Sequence, residues 1–335
     1  MTAAIAAAAI CASLAISACG DDDNGDGDAG TTEAETTSAA PAPDLTALPL
    51  GDDKVTTDGP KLGYVYACME GGEGGGAMVD GPWIDQQAGT YDYEAKAVVP
   101  GKVEWPGEFD VSLDGNVRRL TGNDLPDHTT GTYPIPDDSE AYSYDANPNS
   151  ISSQDVEMEL PAVPEELSEP SCMGGEVGVL LTGAAVFNGL DATNRDAVAH
   201  EVQDRCQGHP QISGVYHYHS QSECVDDNEP GQGHSPLIEY ALDGFGIYGH
   251  HGEDGEVLAN KDLDECHGHR HEIDWDGETI ELYHYHATYE YPYTASCFRG
   301  EPAQQQVIPG EMPAGGGADP EDAQAPPGGG PPPPQ

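Results

Sequence analysis

Tyr216-His217-Tyr218-His219 returns later in the chain as Tyr283-His284-Tyr285-His286, and it does not return alone. Leu181-Thr182-Gly183-Ala184-Ala185-Val186-Phe187 matches Leu242-Asp243-Gly244-Phe245-Gly246-Ile247-Tyr248. Asp204-Arg205-Cys206-Gln207-Gly208-His209 matches Asp264-Glu265-Cys266-His267-Gly268-His269. Three blocks in one order indicate a duplicated unit, spanning about 176–225 and 237–300. The first block is two short apolar runs around a turn pair, and Asp-Gly between such runs is a hairpin signal. The second bends at a glycine between Cys and His. The third alternates Tyr and His with the period of a strand. The pattern predicts a mainly β, disulfide-braced domain built from a duplicated hairpin plus Tyr-His-Tyr-His strand, with a pseudo-twofold axis relating the copies.

Outside the repeat, Phe109, Val111 and Leu113 alternate into Asp114-Gly115, and Val156, Met158 and Leu160 alternate before Pro161. Both stretches read as strands. Residues 194–202 read as one short helix.

The Tyr/His alternation sorts chemistry by face. Residues two apart on a strand point the same way. His217 and His219 therefore share a face, as do His284 and His286, while the tyrosines turn to the opposite face and pack a core. Twelve of the 13 histidines lie between His200 and His286. A His-x-His pair offers two imidazoles to one metal, and if the axis pairs the two strands, four converge. Four imidazoles without thiolate favour Cu(II) or Zn(II). His217, His219, His284 and His286 are thus expected to line one site holding one copper or zinc ion per chain. His209, His269 and Asp243 are candidates for orienting those ligands. His267, His269 and His271 form a further alternating run. His234, His250 and His251 sit in Gly-containing loops and read as surface groups.

The chain has eight cysteines. Cys11 and Cys19 belong to the leader region. Each repeat carries one Cys before its Tyr-His-Tyr-His strand and one after it. This predicts Cys206–Cys224 and Cys266–Cys297, leaving Cys68–Cys172 to tie on the N-terminal part. No Cys-x-x-Cys occurs, so a zinc knuckle or thioredoxin-type site is unsupported.

The apolar run of residues 2–18 reads as the core of a signal peptide occupying 1–18. Ile16-Ser17-Ala18-Cys19 resembles the lipobox of bacterial lipoproteins, which implies cleavage before Cys19 and lipidation of its thiol. The departure is that no Lys or Arg precedes the apolar run. Residues 19–60 read as a disordered acidic linker, 61–300 as the folded domain, and 301–335 as a disordered Pro/Gly-rich tail. Acidic residues number 61 against 11 basic ones, a formal net charge of −50. Nucleic acid and anionic membrane surfaces are excluded as partners on that ground, leaving a lipid anchor as the route to a membrane. No G-x-G-x-x-G, phosphate loop or Gly-x-Ser-x-Gly is present, so neither a nucleotide cofactor nor a serine-hydrolase elbow is supported.

The two Tyr-His-Tyr-His stretches, Leu242-Asp243-Gly244, and the ending Tyr291-Pro292-Tyr293 with Cys297-Phe298-Arg299-Gly300 together resemble the YHYH-domain family, over about residues 90–300. The resemblance implies an exported bacterial domain and supplies no reaction. Three classes of function follow from the residues. The first is an extracytoplasmic, lipid-anchored metal-binding protein. The second is an extracytoplasmic metalloenzyme, a hydrolase or oxidoreductase, with an open metal position. The third is a non-catalytic, disulfide-braced surface binding module. A closed all-imidazole site favours the first, and three protein ligands plus water favour the second.

Overall fold

The structure, a computed structural model, describes residues 43–69, 71, 77, 79–227 and 231–303. The leader, Cys19 and the Pro/Gly-rich tail lie outside the described residues. Five two-residue strands come first: β1 (Leu48–Pro49), β2 (Val55–Thr56), β3 (Val65–Tyr66), β4 (Ile84–Asp85) and β5 (Thr90–Tyr91). They form a small sheet, β1-β5-β4, and a parallel pair, β2-β3. The expected linker therefore gives way to ordered chain before residue 60. Leu48 and Leu50 are buried, and the Gly51 N–H donates to Asp196 at 2.8 Å. Apolar side chains in an otherwise polar stretch give it a reason to dock.

β6 (Phe109–Asp114), β7 (Val117–Gly122) and β8 (Val156–Pro161) make a three-stranded antiparallel sheet. The β6–β7 turn carries Gly115 at φ 62°, a conformation that favours glycine. From β7 the buried Arg118 donates to the Tyr240 hydroxyl at 3.1 Å and pairs with Asp276 at 2.7 Å, fixing this sheet to the larger one.

The larger sheet contains the repeat. Its first copy supplies β9 (Glu176–Leu180), β10 (Ala185–Phe187), β11 (Gly208–Pro210) and β12 (Tyr216–Tyr218). The second supplies β13 (Leu237–Ala241), β14 (Gly246–Tyr248), β15 (Gly268–Trp275) and β16 (Glu278–His286). The strand order is β11-β12-β10-β9-β13-β14-β16-β15, each half mirroring the other. At the centre, Val179 pairs with Tyr240, its own equivalent in the repeat, flanked by Gly178↔Ala241 and Leu180↔Glu239. The pseudo-twofold axis therefore passes through this pair. In each half the hairpin's second strand runs parallel to the Tyr-His strand (Val186↔Tyr218, Ile247↔Tyr285). The bend strand pairs antiparallel on its other side (Gly208↔Tyr218, Gly268↔Tyr285).

That arrangement corrects one expectation. The axis does not lay the two Tyr-His strands side by side. Four strands, β10, β9, β13 and β14, separate β12 from β16, on the order of 20 Å at ordinary strand spacing.

The tyrosine face is pinned by buried acids and hydroxyls. Tyr216 donates to Asp204 and Tyr283 to Asp264, each at 2.9 Å, and the same carboxylates accept the N–H of Cys206 and Cys266. The bend glycine is required by this contact. A Cβ on Gly208 or Gly268 would overlap the hydroxyl end of Tyr216 or Tyr283.

The helix is a single turn, α1 (Ala197–His200). Asp196 caps it through the Ala199 N–H, and the chain is extended again at Glu201. The cysteines pair as Cys68–Cys172, Cys206–Cys224 and Cys266–Cys297, one bridge within each repeat.

Candidate metal centres

The same register that buries the tyrosines stacks the histidines. His209 pairs with His217 across β11 and β12, and His269 with His284 across β15 and β16, so each pair shares a face. Two separate groups result, one in each repeat.

In the first, His209, His217 and His219 are all buried. The Nε2 atoms of His217 and His219 stand 3.2 Å apart. Glu201, one residue past α1, brings Oε2 to 3.4 Å from His209 Nε2 and 3.3 Å from His219 Nε2. That oxygen and both ring nitrogens of His209 have no hydrogen-bond partner among the described residues. The Phe187 ring stacks on His217 at 4.1 Å and closes the group on that side. Burial, and then the neighbouring imidazoles, push His209 and His217 well below the ordinary histidine range. Burial also pulls Lys96 down to about 7, against the opposing charges of Asp196, Glu201 and Asp145.

In the second group, His284 and His286 are fully buried, while His234, His269 and His271 are partly exposed. His234 Nε2 lies 3.3 Å from His284 Nε2 and 3.1 Å from His286 Nε2. Nε2 of His269 and of His271 has no hydrogen-bond partner among the described residues. Their rings lie 4.8 and 4.4 Å from that of His284. Burial brings His234 and His269 down to about 4 and His284 to about 2.

Protonation decides what these short contacts mean. His219 Nδ1 faces the Asn188 carbonyl at 2.6 Å, and its equivalent His286 faces the Gly249 carbonyl at 2.7 Å. His217 and His284 face the carbonyls of Val215 and Leu282 at 3.4 and 3.0 Å, and His234 faces that of Ser235 at 2.8 Å. A carbonyl only accepts, so Nδ1 carries the hydrogen and each Nε2 presents a lone pair. Lone pairs facing one another at 3.1–3.3 Å repel unless a cation lies between them. Four donors about 2.05 Å from one tetrahedral ion stand about 3.3 Å apart, which these spacings match. An outer hydrogen bond that fixes the tautomer is the usual support of a ligating histidine.

Residues 157–255 match the YHYH protein family. The match takes in Tyr216–His219 and the Leu242-Asp243-Gly244 turn and stops short of Tyr283–His286, so the second copy is recognised here by its register. Neither the curated proteins nor the solved structures yield a match. The YHYH match and the three disulfides are consistent with an extracytoplasmic protein.

The four histidines expected to share one site are thus divided, His217 with His219 and His284 with His286. His209 and His269 stand within the groups rather than behind them. Asp243 lies elsewhere. Its carboxylate accepts from the Tyr285 hydroxyl at 2.6 Å and from the N–H groups of Arg299 and Gly300, on the tyrosine face. His234, read as a surface group, converges on His284 and His286. Glu201 escaped sequence reasoning because it lies between the matched blocks, where the repeat offset changes from 61 to 60 and duplication gives no signal. The other histidines have partners outside these groups, and His251, expected at the surface, is buried beside Asp227 and Ser235. His200 is bound between Asp52 and Asp80, His250 stacks on Tyr289, and His267 meets Thr288. His128 lies near Cys206 and Cys224, but those sulfurs form a disulfide and are not thiolate donors.

Proposed function

We propose that this is an extracytoplasmic metal-binding protein holding two divalent transition-metal ions, one in each repeat. The observation that carries the reading is the duplicated clamp: Nδ1–H on a backbone carbonyl, Nε2 lone pairs gathered at 3.1–3.3 Å. His209, His217, His219 and Glu201 would hold one ion, and His234, His284 and His286, with His269 and His271 beside them, the other. Imidazole-rich sites without thiolate suit zinc or copper. Cys19 would carry the lipid anchor, placing the metal sites outside the cytoplasm. Elemental analysis of protein purified without a His-tag or chelator tests the metal reading, with two ions per chain expected. A fully folded protein that takes up neither Zn(II) nor Cu(II) overturns it. Cys19→Ser should release the protein from the membrane fraction, and an unlipidated wild-type N-terminus would remove the anchor from the proposal.

A further inference from the structure

We infer that the two sites differ in exchange: the His209/His217/His219/Glu201 site holds a resident ion, and the His234/His284/His286 site trades its ion with solvent through His269 and His271. This rests on the metal-binding reading and adds a division of labour to it.

The first site has no rim. Its three imidazoles are between 3% and 4% exposed and Glu201 is 7% exposed. Phe187 covers His217, and the carboxylate adds a negative, hard donor to three nitrogens. An ion leaving this site would give up these four donors with no spare imidazole beside them among the described residues.

The second site has a graded approach. Glu253, with a side chain 63% exposed, lies 3.3 Å from His271 Nδ1, and the His271 side chain is 12% exposed. The His271 ring is 4.6 Å from that of His269 and 4.4 Å from that of His284, and His284 is 5.1 Å from His286. The unpartnered Nε2 atoms of His269 and His271 are then spare donors at the partly exposed edge of a cluster whose five ligand atoms all lie within 4.8 Å of one another. An ion can pass inward by exchanging one imidazole for the next, never losing its whole coordination shell. The first repeat lacks this row, because Gln211 stands where the second has His271. An acidic group at the mouth also concentrates divalent cations.

The test loads the full chain with Zn(II), then adds excess EDTA and follows the zinc remaining on protein. Wild type should lose one equivalent quickly and the other at least about tenfold more slowly, within the range by which supporting residues alter metal sites. His271→Gln should slow the fast phase about tenfold while the slow phase of the first site stays unchanged, which also reports an intact fold. Glu253→Gln, which keeps every imidazole, should slow zinc loading about two- to threefold at low salt and not at high salt. His219→Gln should remove the slow equivalent alone. Two equivalents leaving at one rate, or a fast phase unchanged in His271→Gln, overturns the division while leaving two-site metal binding in place. Failure to bind zinc or copper at all overturns the metal reading itself.

Discussion

At one end of the eight-stranded sheet three imidazoles and a carboxylate close over a buried point. At the other, five imidazoles gather around a point that remains open at its edge. The two ends descend from one unit and still share its clamp, with Asn188 and Gly249 fixing His219 and His286 through equivalent carbonyls. What has diverged is the ring of groups around that clamp. One copy recruited Glu201 from the residue after α1, 3.3 Å from His219. The other recruited His234 from a loop and His271 from a longer strand. Duplication conserved the tautomer-setting geometry and left donor set and access to vary.

The largest effect should come from removing a clamp histidine. His219→Ala should abolish one equivalent of metal and His286→Ala the other, each leaving its partner site loaded, as read by elemental analysis. If either substitution empties both sites, the ions are coupled and the sites are not independent halves. The double substitution His217→Ala/His284→Ala should leave no stoichiometric metal.

The second contrast lies on the tyrosine face. Asp243 accepts four hydrogen bonds at full burial, from Tyr285, Phe245, Arg299 and Gly300. Asp243→Ala strands the Tyr285 hydroxyl and the N–H groups of Phe245 and Gly300, while the Arg299 N–H keeps the Tyr285 oxygen, and should cost about 3 kcal/mol or more at about 1–3 kcal/mol per stranded donor. Urea unfolding of the variant measures it. A cost below about 1 kcal/mol would mean that the second repeat does not depend on this anchor.

How much of this could be read from the chain alone follows from which contacts are periodic. Tyr/His alternation fixed the two faces, because strand period is a local property. The Cys-x-Gly-His bend was legible, and its reason, the Tyr216 and Tyr283 hydroxyls, was not. Nothing local states that Val179 pairs with Tyr240. That single register sends the Tyr-His strands to opposite halves and turns one expected site into two. Glu201 and His234 lie outside the repeated blocks, so their arrival at the sites depends on the path of α1 and of the loop before β13. Asp243 was misplaced for a related reason. Its turn sits beside the Tyr-His strand, but the side chain belongs to the face that holds the tyrosines.

Acid should distinguish the folded sites from isolated histidines. An unperturbed imidazole takes up a proton near 6.5, whereas burial holds His234 and His269 near 4 and His284 near 2. Above 6.5 these groups are neutral in both folded and unfolded chains and contribute no pH dependence. Below 6.5 the unfolded chain binds protons that the fold refuses, so apo-protein stability should fall as pH drops from 6.5 towards 4. Urea midpoints of metal-free protein at pH 7, 6 and 5 should decrease in that order. The folded sites should keep their metal at pH 5.5, below the point at which exposed imidazoles release it. Metal loss with a midpoint near 6.5 in protein that stays folded would show that the sites are open to protons.

The smallest effect tests the asymmetry of the anchors directly. Tyr218 meets the neutral Thr182 hydroxyl at 3.0 Å and His128 at 2.6 Å, where Tyr285 meets the Asp243 carboxylate. A hydrogen bond to a carboxylate is worth about 1.5–3 kcal/mol and one between neutral groups about 0.5–1.5 kcal/mol. Tyr285→Phe should therefore cost more than Tyr218→Phe, and Thr182→Ala about 1 kcal/mol, since Tyr218 retains His128 as a partner. All three changes leave the histidine face untouched, so metal stoichiometry should remain that of the unaltered protein. Equal costs for the two tyrosine variants would mean that His128 compensates in the first repeat for the carboxylate of the second. Loss of metal in Thr182→Ala would show that the tyrosine anchors set the imidazole geometry through the strand.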